Sequence, residues 1–142
     1  MFLGEYFHTF DTKNRISVPS KFRKGLGRAV VVTRGLDHCL YVYARKAWER
    51  EAQAHATAVN GSSARRGLAR LFLAGSSEVE VDGNGRVLVP EHLKAFAGIK
   101  EKAVIAGVAD RVEIWEENAW KKYTADIERD ADAFAEKVGD IK

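Results

Sequence analysis

Asp11-Thr12-Lys13-Asn14-Arg15 gathers a carboxylate, an amide and two cations into five residues, and Ile16-Ser17-Val18-Pro19 follows at once. That set suits recognition of an anion better than making or breaking a bond. An arginine fork can grip two phosphate oxygens or the N7 and O6 of guanine. The aspartate can accept backbone N–H groups inside the loop and hold the arginine in a charge-assisted pair. Asn14 is one of the few side chains that tolerates positive φ, as a tight polar turn requires. A second version, Asp82-Gly83-Asn84-Gly85-Arg86-Val87-Leu88-Val89-Pro90, lies 71 residues on, with Asp, Arg, Val and Pro in the same places. A lone Asp-x-x-x-Arg turn serves equally well as an internal brace. A turn built twice to one plan points to a surface used in duplicate.

The surroundings of the two copies differ. Lys13, Lys21, Arg23 and Lys24 cluster near Arg15 in sequence, with Arg28 and Arg34 further on, whereas Glu78, Glu80, Asp82 and Glu91 flank Arg86. The whole chain shows the same split. Residues 1–71 hold 13 Lys/Arg against 5 Asp/Glu, and residues 72–142 hold 10 against 15, giving +8 and −5 within a net +3. The basic half fits a polyanion, and the first turn is expected to be the stronger contact, with Arg86 the weaker twin. A module that only bound proteins would not need that charge on the half that opens with the motif.

The elements that must position these turns are legible in order. Tyr6, His8 and Phe10 alternate with Phe7 and Thr9 in a strand. Arg15–Val18 returns, Pro19 opens a helix over Ser20–Leu26 and Gly27 closes it. Val30–Thr33 and Leu40–Tyr43 are further strands. Glu78–Val81, Arg86–Val89, a helix from Pro90 to Gly98, Ala103–Ala106 and Val112–Trp115 repeat that order, the last two strands joined around Gly107. The repeat has an offset of 71 residues that becomes 72 after the helix. Between the copies, Ala47–Val59 and Ser62–Ala74 are expected to be helices, with Ser62 or Ser63 as a cap. Asn118 is expected to cap a final helix with a stripe of Trp120, Tyr123, Ile127, Phe134 and Val138, which packs on its own domain or, as the alternative, gives a share of itself to subunit contacts. Arg65, Arg66 and Arg70 either extend the basic surface or, as the favoured reading, pair with acidic residues of that helix such as Asp126, Glu128, Asp130 and Asp132. Each repeat alone is too small for a stable core, so the two are expected to share one, as a mainly β, α+β, pseudo-two-fold barrel.

Several function classes find no support. The composition, 46% hydrophobic and 30% charged over 142 residues, fits a globular chain. No apolar run is long enough for a transmembrane span, no signal-peptide pattern opens the chain, and the single Cys39 fits a reducing cytoplasm. His8, His38, His55 and His92 lie at no metal-ligand spacing with Cys39. No nucleophile elbow, P-loop or dinucleotide-binding glycine set occurs. The expectation is therefore no enzyme, no catalytic residue, no metal, no cofactor and no small-molecule substrate.

Three stretches resemble the MraZ family of bacterial proteins, which carry two tandem SpoVT/AbrB-type repeats. They are Met1–Tyr6 with Asp11–Arg15 and Val18–Arg23; Ala64-Arg65-Arg66 with Arg70–Gly75; and Asp82-x-x-Gly85-Arg86 with Gly107 and Glu113-Ile114-Trp115. The family usually has glycine before the first arginine, where this chain has Asn14. The resemblance implies a double-split β-barrel, with repeat 1 over residues 5–47, a helical linker over 48–75, repeat 2 over 76–119 and a C-terminal helix and tail over 118–142. It implies a cytoplasmic, nucleoid-associated transcription regulator of the division and cell-wall genes. Such a regulator binds double-stranded promoter DNA as a ring-shaped homo-oligomer. The residues expected at DNA are Lys13, Asn14, Arg15, Lys21 and Arg86. Asp11, Asp82, Gly83 and Gly85 shape the turns, and Arg23, Lys24 and Arg34 supply auxiliary basic surface. A protein-interaction module and an antitoxin-like partner protein remain the alternative uses of such a barrel.

Overall fold

A computed structural model describes residues 1–139 of the chain. The first half runs β1 (Phe2–Thr9), β2 (Arg15–Ser17), α1 (Ser20–Leu26), β3 (Ala29–Arg34) and β4 (Leu40–Ala44). Two linker helices follow, α2 (Arg45–Ala56) and α3 (Ser63–Ala74). The second half repeats the order as β5 (Ser77–Glu80), β6 (Arg86–Leu88), α4 (Glu91–Phe96), β7 (Lys102–Ala109) and β8 (Arg111–Glu116). The last element is α5 (Glu117–Val138). Asp140, Ile141 and Lys142, the end of the expected C-terminal tail, lie outside the described residues.

The two halves interleave. One antiparallel sheet has the order β1-β7-β8-β4-β3-β5, and β2 pairs with β6 in a separate two-stranded ribbon. Each half's first strand therefore pairs with the other half's third strand, and β4 meets β8 at the centre. The protein is an α+β fold around one main core drawn from both halves. Val30, Val32, Leu40 and Val42 pack with Ala103, Ile105, Val112 and Ile114, while Ile16, Val87, Phe22 and Leu93 close over them from the ribbon and short helices. Burying each such aliphatic side chain is worth roughly 1.5–3 kcal/mol, so neither half is expected to hold together alone. On the sheet's other face, Tyr41, Tyr43, Phe72 and Trp115 form a second cluster under the helices.

Local chemistry explains the boundaries. Pro19 and Pro90, at φ −51° and −53°, stand just before α1 and α4, where the missing N–H costs nothing. The Ser62 hydroxyl accepts the Arg65 N–H and caps α3, as its position predicts. At α5 the cap is Glu116, whose carboxylate accepts from both Asn118 and Ala119 N–H, and not Asn118. An ionised carboxylate there also meets the positive end of the helix dipole.

Gly107 is not in a turn. β7 continues through it to Ala109, and the chain reverses at Asp110. Opposite Gly107 stands Gly4, and a Cβ on Gly107 would strike the backbone of Phe2 and Leu3. The glycine is needed for the close approach of β1.

Two expectations about α5 fail. Its apolar stripe covers its own domain only at the start: beyond Tyr123 every apolar member is more than a third exposed. Among the described residues, Arg65, Arg66 and Arg70 make no ion pair with α5; Arg66 instead donates to the Gly61 carbonyl at 2.7 Å. The main packing of α5 is on β7 and β8, while α3 packs on α2 and β3.

Candidate nucleic-acid interface

The β2–β6 ribbon brings the two turns together. Its register sets Arg15 opposite Leu88, Ile16 opposite Val87 and Ser17 opposite Arg86. Because successive strand residues alternate in direction, Ile16 and Val87 point into the core. Arg15, Ser17, Arg86 and Leu88 share the outward face. Arg15 and Arg86 are diagonal neighbours there, at a separation typical of about 7–8 Å between Cα atoms.

Each turn is held the same way. Asp11 Oδ1 accepts the N–H groups of Lys13 and Arg15, both at 2.9 Å, and Oδ2 accepts Arg15 Nε at 2.8 Å. Asp82 Oδ1 accepts the N–H groups of Asn84 and Arg86, both at 2.9 Å, and its Oδ2 takes Arg86 Nε at 3.2 Å. The backbone N–H of Arg15 does most to hold the Asp11 carboxyl down, outweighing a smaller upward push from desolvation. Helped by the Arg15 guanidinium and the Lys13 N–H, it brings the group to about 2. Asp82 is lowered as well, first by the Arg86 N–H. Both arginines are thus gripped through Nε, and among the described residues neither Nη group of Arg15 hydrogen-bonds to protein. A fork fixed at its inner nitrogen with its outer nitrogens unused is preorganised for a bidentate acceptor.

The turns also brace each other across the pseudo-two-fold. Val18 N–H donates to the Gly85 carbonyl at 2.8 Å, and Val89 N–H donates to the Asn14 carbonyl at 2.9 Å. Asn14 and Gly85 occupy equivalent places, at φ 61° and 75°. Under each sits the short helix of the opposite half. Buried Lys94 donates to Asn14 Oδ1 at 2.8 Å and to the Lys100 carbonyl, with its ammonium over the Phe10 ring, while Asn14 Nδ2 donates to Glu91 at 2.7 Å. The Arg23 guanidinium lies against Gly85, where a Cβ would collide with it, and its Nε donates to the Val18 carbonyl.

This crossover redistributes the expected residues. Lys13 is exposed at the tip of the first turn, and Lys21 and Lys24 are exposed on α1. Arg23 and α1 belong beside the second turn, while Glu91 joins the first. The predicted inequality between a basic first turn and an acidic second one is therefore evened out in space. Glu78 is further neutralised by Arg45, through two bonds of 2.9 and 2.7 Å. Asn14, expected at DNA, spends its amide on Glu91 and Lys94. Arg34 lies elsewhere, bonding the Leu71 carbonyl and facing Phe96. Gly83 is exposed, with open space where a Cβ would stand, whereas Gly85 is buried.

Two contributors escaped sequence reading. Leu88 is 51% exposed beside Arg15, in the middle of the charged face. Its alternation with inward-facing Val87 and Val89 was the available signal. Lys94, a helix lysine among apolar neighbours, gave no sign that it was buried beneath a turn.

These features define a class: an internally duplicated α+β protein with exchanged strands that displays twin arginine turns on one ribbon. The family described as "MraZ protein, putative antitoxin-like" matches residues 1–70 and 72–140. The chain is 42% identical over 139 residues to a protein of Acetivibrio thermocellus, covering 97% of this chain and 96% of that one. It is 43% identical over 142 residues to one of Carboxydothermus hydrogenoformans, covering 99% of both, and 44% identical over 141 residues to one of Clostridium beijerinckii, again covering 99% of both. All three are named Transcriptional regulator MraZ. The chain belongs to the MraZ family.

Proposed function

We propose that this chain is a sequence-specific regulator of transcription that binds double-stranded promoter DNA through the β2–β6 ribbon. The observation that carries the reading is the placement of Arg15 and Arg86 side by side on one outward face, each fixed by its own aspartate. Lys13 and Lys21 add phosphate contacts, Arg23 and Lys24 extend the basic surface, and Leu88 offers an apolar contact of the kind a thymine methyl accepts. Asn14, Asp11, Asp82, Gly83 and Gly85 set the shape of the turns. Arg34, turned toward α3 and Phe96, is left out of the contact. The two arginines carry comparable weight, because Arg23 supports the second turn as Lys94 supports the first.

The proposed target is the division and cell-wall gene cluster, including the chain's own promoter, with the protein acting in the cytoplasm and at the nucleoid. Repeated sites bound by a ring of copies compensate for the small contact of one ribbon. No catalytic step, cofactor or small-molecule substrate enters this reading.

The test is binding to the chain's own upstream DNA across a salt series. Three phosphates neutralised per subunit would give a slope of log K against log salt of about −2.7 per subunit. Arg15→Ala and Arg86→Ala are each expected to weaken binding and to leave folding intact. Wild-type protein without salt-dependent binding, or variants that lose their fold while sparing affinity, would mean that the turns only brace the barrel.

A further inference from the structure

The outward face of the β2–β6 ribbon is two-fold in its backbone but not in its side chains. The 71-residue offset that relates Arg15 to Arg86 also relates Ser17 to Leu88. The backbone treats that second pair alike. Each stands just before a valine, Val18 or Val89, whose N–H donates to a carbonyl of the opposite turn, Gly85 or Asn14. Each also faces an arginine across the ribbon, Ser17 opposite Arg86 and Leu88 opposite Arg15. One of two equivalent positions therefore carries a hydroxyl and the other an isobutyl group.

Leu88 covers none of the core. Ile16, Val18, Val87 and Val89 fill the inward face and are buried, whereas Leu88 is half exposed. A single exposed leucine is ordinary on a protein surface. This one stands on a face otherwise made of two arginines and a serine, where Ser17 shows that the fold requires no apolar group. Its surface gains only from a partner that sets an apolar group among acceptor atoms. The major groove of DNA does this where the 5-methyl of thymine projects beside the guanine N7 and O6 that an arginine fork grips. Directly opposed residues of an antiparallel pair are about 4.5–5.5 Å apart at Cα, so Arg15 and Leu88 can address neighbouring base pairs, which stack about 3.4 Å apart. The serine beside Arg86 both donates and accepts, and so suits several bases.

We propose that Leu88 and Ser17 give the ribbon a direction on DNA. Leu88 takes a thymine methyl in the base pair next to the Arg15 guanine, while the Arg86 end, with Ser17, takes a guanine with no methyl beside it. A two-fold scaffold thus reads a site that is not two-fold, and the chain lies on it one way round. This rests on the reading of the ribbon as the DNA contact, and the test separates the two.

Binding of the full chain to its own upstream DNA is measured with deoxyuridine replacing thymidine, one position at a time and in every repeat of the site at once. The exchange removes the methyl and nothing else. Wild type is expected to lose affinity about fourfold at one position, the factor that withdrawing one methylene-sized group from contact gives. Leu88→Ser is expected to bind equally with and without that methyl. Ser17→Leu, on DNA given a thymine at the mirror position, is expected to gain a second sensitive position. Both changes lie on the outward face, and circular dichroism checks the fold. An iron chelate on Asn84→Cys, at the exposed tip of the second turn with native Cys39 buried, is expected to cut the DNA on one flank of each site. Methyl removal without effect at any position, sensitivity that survives in Leu88→Ser, no second position in Ser17→Leu, or cuts on both flanks would each overturn the proposal. Salt-dependent binding weakened by Arg15→Ala would then leave the ribbon reading standing, whereas wild type without salt-dependent binding would remove both.

Discussion

The Asp11 carboxylate, already bonded to Arg15, also lies 3.7 Å from Arg86 Nη1 of the other turn. Asp82 has no matching reach to Arg15. One carboxylate thus positions both forks, and the pseudo-symmetry of the turns is broken at the point where they are displayed. Asp11→Ala is expected to weaken DNA binding more than Asp82→Ala, although either change also removes a negative charge near the phosphates. Affinity titrations at matched salt compare the two. Equal losses would show that Asp11 acts on Arg15 alone.

The pH dependence of the first turn follows from the depressed carboxyl. Asp11 ionises at about 2 in the folded protein against 3.8 ordinarily. Its contribution is therefore full above about pH 4 and lost as pH falls through about 2. The stability gap between wild type and Asp11→Asn is expected to stay constant from neutrality to pH 4 and to close below it. Carboxyl chemical shifts followed against pH, alongside chemical denaturation, test the midpoint and the gap together.

Asn14→Gly would restore a residue well suited to φ 61° while removing both partners of its amide. Lys94, 6% exposed, would keep only the longer 3.3 Å bond to Lys100. Leaving a buried polar group short of a partner typically costs about 1–3 kcal/mol, and a charged one more, which outweighs what the easier backbone returns. The variant is expected to be less stable than wild type. Asn14→Gly combined with Lys94→Met, which removes the stranded ammonium, is expected to regain part of the loss in denaturant melts.

Cys39 is buried, its thiol donating to the Leu36 carbonyl at 3.3 Å. Burial, with the Glu113 carboxylate nearby, pushes the thiol far above its ordinary range, so little thiolate exists at neutral pH. A thiol reagent is expected to leave the native protein unlabelled and to modify one thiol on unfolding. Rapid labelling of folded protein would show that the sheet's outer face opens.

Sequence alone determined much here, and for local reasons. The duplicated Asp-x-x-x-Arg pattern needs only its own aspartate and two or three backbone N–H groups, so each turn is complete within five residues. Proline and glycine punctuation fixed α1 to the residue, and period-2 alternation found the strands. The shared core followed from the small size of each repeat. What failed were the statements about which individual charged residues of distant elements are neighbours. Basic residues close to Arg15 in sequence stand beside the other turn because strand exchange carries α1 under the second half, and Glu91 crosses the opposite way. Gly107 resembles a turn glycine until β1 is laid against it. The α5 stripe had the right period, but periodicity states that a face is apolar and not what covers it. Covalent spacing dictates turns, caps and alternation; which side of the ribbon a helix packs under, and how far α5 outruns its sheet, depend on contacts between elements distant in the chain, so only the tertiary structure decided them.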